Sequence, residues 1–282
     1  MLRPSLECPC DGSFLSPDFT YEEAPLGETK FDLAGQGYQR SYERCSLCLH
    51  WFGRHNLDLT GLYAGDYASA TYGDRMGTVF DRIVGLPPEN SDNTGRRNRL
   101  LEFARHWLGT SPEITLLDVG SGLGVFPYAM RLAGWSCTAL DPDLLACEHI
   151  AAKAEVATIA ADFLEVDPLA LGSFDVVTLN KVIEHVEEPC EMLRKASLAT
   201  SSRGFVYVEV PDGEMAAAEG PAREEFFIEH HHVFSAASLG LALERSGLRP
   251  ISIERLREPS GKYTLAGFAT SHLSLLQEWN RL

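Results

Sequence analysis

The chain is short of positive charge. Its 282 residues carry 24 lysines and arginines against 40 aspartates and glutamates, a formal charge of −16. A surface of that sign repels phosphate backbones and anionic lipid, so neither nucleic acid nor a membrane surface is expected as a partner. Long apolar runs are lacking too. No stretch approaches the roughly 20 apolar residues of a bilayer-spanning helix, and Met1 to Asp11 holds no apolar segment of the export-signal kind. The expectation is a soluble, cytoplasmic protein. Internal repeats are missing, which sets aside solenoids and propellers. What is present is a 45% hydrophobic composition, enough for one substantial core and a small accessory module.

Residues 114 to 124, ITLLDVGSGLG, are the stretch around which the rest is organised. Ile114, Leu116, Leu117 and Val119 form the apolar run of a strand covered on both faces, with Asp118 at its C-terminal end. Gly120, Gly122 and Gly124 follow, a spacing that lets the backbone turn sharply and bring its N–H groups against a small ligand. The dinucleotide fingerprint G-x-G-x-x-G would need glycine at 125, where the chain has Val125. That spacing disfavours an NAD-dependent enzyme. Val125 to Ala133 then reads as a helix stopped by Gly134, and Cys137 to Leu140 as a strand ending in Asp141. Strand, glycine turn, helix and strand make a βαβ unit that binds its ligand beyond the carboxyl ends of the strands. At such a strand end Asp141 can accept both hydroxyl protons of a ribose; with Pro142 after it, it can also serve as a helix N-cap.

The pattern D-x-G-x-G-x-G resembles motif I of the class I S-adenosylmethionine-dependent methyltransferases. Later matches fall at the expected distances. Asp162 and Phe163 stand where the family reads the adenine amino group and packs on the base. The run FDVVTLNKVIEHVEEP, Phe174 to Pro189, is similar to the fourth-strand segment of small-molecule methyltransferases. The resemblance places Asn180 against the methionine part of the cofactor and makes Glu184 and His185 structural. It covers residues 96 to 250. The fold it implies is α/β and Rossmann-like, a seven-stranded, mostly parallel sheet closed by an antiparallel hairpin of Ile251–Leu256 and Tyr263–Ala269.

The seven cysteines fall into two populations. Cys137, Cys147 and Cys190 are isolated and read as small buried hydrophobes. Cys8, Cys10, Cys45 and Cys48 come in two pairs, and in a reducing compartment such pairs hold metal. Four thiolates around one tetrahedral zinc would stabilise a module too small to fold on apolar burial alone, and leave no open position for catalysis. Here the chain resembles the N-terminal zinc-ribbon domain of a subset of bacterial methyltransferases. The first pair, C-P-C, is one residue tighter than the usual C-x-x-C, so His50 or His55 could replace one of its thiolates.

Three domains are expected: a zinc ribbon over 1–60, a connector or lid over 61–95, and the S-adenosylmethionine-binding domain over 96–282. In zinc-ribbon methyltransferases a Y-x-x-x-Y segment like Tyr63 and Tyr67 can close over the cofactor; an ordinary connector is the other reading. Residues 85–95, GLPPENSDNTG, are rich in chain breakers and read as a linker. Arg96, Arg97 and Arg99 read as a solvent-facing helical turn, and Pro211 to Arg223 as an acceptor-specificity loop. Ser235 reads as an N-cap for a helix that Gly247 ends, and Ser271 to Leu282 as a short terminal helix.

Since the sulfonium methyl is already activated, the protein must align donor and acceptor and remove the acceptor's proton. Histidine is the natural base. Zinc-ribbon methyltransferases of nucleotide sugars carry Y-H-E-H-x-x-x-F-S, whose last part fits Glu229, His230, Phe234 and Ser235. The resemblance makes His230 the base and Glu229 its orienting partner or a second polar contact. Phe227 and Ile228 stand where the pattern has tyrosine and the first histidine, which turns the expectation from carbon methylation toward O-methylation of a sugar, a nucleotide sugar or a polysaccharide end. A sugar C-methyltransferase and a non-catalytic cofactor-binding adaptor remain as alternatives. Three adjacent histidines on an extended segment face opposite sides, so His230, His231 and His232 cannot all converge.

Overall fold

The computed structural model describes residues 14–28, 37–55, 75–109 and 113–271. Cys8, Cys10, Tyr63, Tyr67 and the expected terminal helix beyond Ser271 lie outside them. The main layer is a seven-stranded sheet. Its strands are β4 (Thr115–Val119), β5 (Ser136–Asp141), β6 (Ala157–Ala160), β7 (Phe174–Asn180), β8 (Thr200–Pro211), β10 (Leu248–Arg257) and β11 (Tyr263–Ser271). Their spatial order is β10-β11-β8-β7-β4-β5-β6. The five strands β4 to β8 run parallel to one another, while β11 pairs antiparallel to β8 and β10 antiparallel to β11. This is the expected Rossmann-like sheet with its C-terminal hairpin.

Strands β4, β7 and β8 are buried on both faces, which is why they read as continuous apolar runs. Leu117, Val119, Val177, Leu179, Val206 and Val208 belong to one core cluster, with Leu193, Ala196, Leu239 and Leu243 of the covering helices α5 (Pro189–Ala199) and α7 (Ala236–Arg245). Leu116, Val176, Phe205 and Tyr207 alternate into a second cluster with Leu100, Ala104 and Met130 of α2 (Asp92–Trp107) and α3 (Val125–Leu132). α1 (Met76–Val84) adds Phe80 to this face, and α4 (Leu144–Lys153) adds Ile150.

Two segments differ from their sequence reading, both because a cap outweighs neighbouring breakers. α2 begins inside the expected linker, where Ser91 accepts from the Thr94 N–H at 3.2 Å. The expected loop after β8 contains helix α6 (Gly213–Glu219), capped by Asp212, whose carboxylate accepts from the Glu214 N–H at 3.1 Å. Ser235 caps α7 as expected, and Gly247, at φ +76°, follows its end.

The second sheet joins the N-terminal region to the main domain. β1 (Leu15–Tyr21), β2 (Arg40–Cys45) and β3 (Trp51–His55) form an antiparallel meander, and β9 (His232–Val233) adds to it with Phe52 opposite His232 and Trp51 opposite Val233. Trp51 is fully buried, and a Cβ at Gly213 would stand 2.7 Å from its ring. Val233, Phe226 and Tyr263 of the main domain share a cluster with Trp51, Tyr42 and Tyr21.

Candidate cofactor and acceptor site

The cradle lies where β4 ends. Gly120, Gly122 and Gly124 all adopt left-handed φ, +68°, +52° and +72°, a region that favours glycine. Space reinforces this at two of them: a Cβ on Gly120 would reach 2.7 Å from Val182, and one on Gly124 the same distance from Ile150. At Gly122 a Cβ would meet none of the described residues within 4 Å. That open side is where a ligand can approach the backbone.

Asp118 organises the turn from beneath. Its buried carboxylate accepts from Thr178 Oγ1 at 2.6 Å, Asn180 Nδ2 at 2.9 Å and Ser121 Oγ at 2.8 Å. Burial pushes its pKa up to about 6 against these donors. The Oδ1 of Asn180 is buried and has no hydrogen-bond partner among the described residues. An acceptor left so is suited to a ligand's ammonium.

Asp141 ends β5 and braces the cradle, accepting from the Gly122 N–H at 2.8 Å and the Asp143 N–H at 3.0 Å. The helix cap that Asp141 might have supplied comes from Asp143, which accepts from Leu145 N at 2.8 Å. Each Asp141 oxygen thus keeps a lone pair for a ligand hydroxyl. At the end of β6, Asp162 is exposed and opens a turn, accepting from the Leu164 N–H at 2.8 Å. Phe163 is 2% exposed and belongs to the core cluster of Leu140 and Leu179. A side chain lining a base pocket would show a face, so Phe163 is a core residue where base packing was expected.

The histidine segment runs beside this cleft. The three histidines go three ways. His230 stands against His185, with ring centroids 4.8 Å apart. His231 stacks on His55 at 6.1 Å, and His232 hydrogen-bonds His50 at 3.1 Å. The ring of His50 is fully buried, and its other nitrogen meets Ser238 Oγ at 3.0 Å, so both nitrogens are engaged and His50 is not a substitute zinc ligand. His230 is oriented through its Nδ1 by the Glu225 carbonyl at 2.8 Å, a role expected of the Glu229 carboxylate. Glu229 instead offers its backbone carbonyl to Nδ1 of His185 at 3.0 Å. Burial lowers the pKa of His230 well below the usual histidine value and that of His185 to about 4. Both imidazoles are therefore neutral at physiological pH.

Residues 90–253, more than half of the chain, match the family described as a methyltransferase domain. The chain belongs to that family. Its seven-stranded, mostly parallel sheet is the class I methyltransferase fold. It is 31% identical over 120 residues to the ubiquinone biosynthesis O-methyltransferase of Caulobacter vibrioides, covering 40% of this chain and 48% of that protein. With the protein of the same description from Ralstonia nicotianae it shares 31% over 97 residues, 33% of this chain and 41% of the relative. The chain thus spans about half the length, or less, of these curated relatives. Among solved structures, the magnesium protoporphyrin IX methyltransferase of Synechocystis PCC 6803 with bound S-adenosylhomocysteine superimposes with a TM-score of 0.54 at 16% identity, over 76% of this chain and 100% of that one. The 1,6-didemethyltoxoflavin-N1-methyltransferase of Burkholderia thailandensis gives 0.54 at 18%, over 80% and 96%. At such identities these two likenesses concern the fold alone.

Two parts of this methyltransferase's site were not legible in sequence. Arg96 and Arg99, expected to face solvent, converge on the buried Glu209 of β8 at 2.8 Å each, and Tyr207 hydrogen-bonds the same carboxylate. Burial alone would raise the Glu209 carboxyl; the facing Arg96 outweighs it and holds the pKa at about 2. Glu184 and His185, expected to be structural, meet His230 across 46 and 45 residues of chain, and one potential ligand atom from each of the three lies within 4.8 Å of the others. The E-H pair after β7 was a visible signal. Its partner was not.

Proposed function

We propose that this methyltransferase binds S-adenosylmethionine in the β4 cradle and transfers its methyl group to an oxygen of a small molecule. The favoured acceptor is a cytoplasmic sugar, nucleotide sugar or polysaccharide end. The observation that carries the reading is the open cradle, in which three left-handed glycines and Asp141 stand around an approach side that none of the described residues fills. Support for oxygen as the acceptor atom comes from the relatives described as O-methyltransferases. The sugar class rests on Glu229, His230, Phe234 and Ser235. In the reaction the acceptor oxygen attacks the methyl carbon, the carbon–sulfur bond breaks with its electron pair retained on sulfur, and the hydroxyl proton is drawn off at His230. Tyr63 and Tyr67 would close over the cofactor.

A structural zinc is part of the same proposal. Cys45 and Cys48 are both buried on one tight turn, where the Leu49 N–H donates to the Cys45 carbonyl at 2.9 Å and Leu49 takes φ +59°. They would supply two of four thiolates, with Cys8 and Cys10 the others.

Calorimetric titration with S-adenosylhomocysteine, with NAD in parallel, tests the cofactor. Binding of the former alone is expected, and binding of NAD alone overturns the reading. Methyl transfer from labelled S-adenosylmethionine to a panel of sugars and nucleotide sugars tests the acceptor. His230→Ala should lower kcat by about a hundredfold or more while leaving S-adenosylhomocysteine affinity intact; full turnover would remove His230 from the reaction.

A further inference from the structure

Glu184 poses a question that the methyl-transfer reading does not answer. It is fully buried in the turn Ile183–His185 that follows β7, and neither of its carboxylate oxygens has a hydrogen-bond partner among the described residues. An orphaned buried carboxylate is costly and uncommon. The Lys181 ammonium eases the buried charge but gives it no hydrogen bond, being turned to Thr264 Oγ1 at 2.7 Å. What does face Glu184 is a pair of imidazoles, His185 from its own turn and His230 from the segment before β9, with candidate donor atoms of all three within 4.8 Å of one another. Glu184 is buried while both histidines keep part of their surface exposed, so the group has a floor and an open side.

We propose that Glu184, His185 and His230 form a binding site for a divalent transition-metal cation beside the cofactor cleft. The second layer of contacts is of the kind metal-binding histidines use. His185 gives its Nδ1–H to the Glu229 carbonyl and His230 gives its own to the Glu225 carbonyl, which fixes both tautomers with the lone pair on Nε2. Two nitrogens and one carboxylate suit zinc, cobalt, iron or manganese better than calcium or magnesium, which favour all-oxygen sites. The cation would neutralise the Glu184 charge and keep further coordination positions for exogenous ligands on the exposed side.

Nε2 of His230 can serve as proton acceptor or as metal ligand but not as both at once, so a bound cation would take over by making an acceptor hydroxyl bound to it more acidic. That consequence rests on the methyl-transfer reading; the site itself does not.

Cobalt titration of the metal-stripped, full-length protein tests the site without assaying turnover. Cobalt held by histidine and carboxylate gives weak visible bands, whereas cobalt on the cysteines adds intense thiolate charge-transfer absorption, so the two sites are read separately. The wild-type protein is expected to show both kinds. Glu184→Gln should weaken the histidine-type site by more than about tenfold, leaving the thiolate bands and S-adenosylhomocysteine binding in place. If Glu184→Gln fails to bind S-adenosylhomocysteine, His230→Gln is read instead. Thiolate bands alone, or histidine-type bands untouched by the variant that still binds S-adenosylhomocysteine, overturn the metal site and leave Glu184 as a partner for the acceptor's own hydroxyl. S-adenosylhomocysteine binding without histidine-type cobalt separates this failure from a failure of the cofactor reading.

Discussion

Glu209 shows how one side chain can matter to the whole fold. Its carboxylate is buried between Arg96 and Arg99, and its pKa stands at about 2 against an ordinary 4.5. A carboxyl whose folded pKa is depressed adds stability above its unfolded pKa and loses it as pH falls through the folded one. The Glu209 contribution is therefore complete above about pH 4.5 and fades toward pH 2. Glu209→Gln should destabilise the protein at pH 7 by about 3 kcal/mol, since one partner of a buried pair is removed and the arginines stay. Denaturant unfolding of both proteins across pH should show that gap narrowing below about pH 4.5. A constant gap would mean that the carboxylate's charge is not what the arginines hold. Arg96 also lowers the pKa of Asp118 beneath the cradle, so the network lies close to the cofactor site.

At the scale of elements, the glycine turn between β4 and α3 depends on both conformation and space. Gly124 takes φ +72° immediately before α3, and Ile150 of α4 lies where a Cβ would go. Gly124→Ala should cost about 1–3 kcal/mol, combining the left-handed penalty with displacement of Ile150. Because that displacement is transmitted to the turn, S-adenosylhomocysteine affinity should fall with stability in a parallel calorimetric and thermal-melt series. Unchanged affinity would show that the cradle tolerates movement on its α4 side. The histidine segment is an element of another kind. Two residues of it pair with β3, and this pairing turns His231 to His55 and His232 to His50 while His230 stands against His185.

For the molecule as a whole, the small sheet is packed into the larger domain. Trp51 on β3 is fully buried against Gly213 and Val233, and its indole N–H donates to Asp18 at 2.6 Å. Trp51→Ala should destabilise the main domain as well as the meander, by about 3–5 kcal/mol in a single cooperative transition. Two separated transitions, with the main domain melting as in the wild type, would show the sheets to be energetically independent. Since β9 leads out of the His230 segment, loosening Trp51 should also lower turnover more than cofactor binding.

The sequence by itself determined the order of elements, the cradle and the sheet. These are local: a buried strand announces itself by its apolar run, a tight turn by its glycines, α7 by Ser235 at its start and Gly247 beyond its end. Asp118 and Asp141 could be named because each stands at the carboxyl end of a strand, where such folds bind ligands, and Asn180 because its segment resembles the fourth strand of small-molecule methyltransferases. Only the tertiary structure decided who meets whom. Arg96 and Arg99 looked like a solvated turn because Glu209 lies 113 and 110 residues away. The meeting of Glu184 and His185 with His230, the withdrawal of Phe163 into the core and the burial of His50 against His232 were equally hidden. Period and spacing report neighbours along the chain, whereas a buried charge or a cluster of ligands depends on neighbours in space, and those are fixed when the sheet closes and the helices cover it.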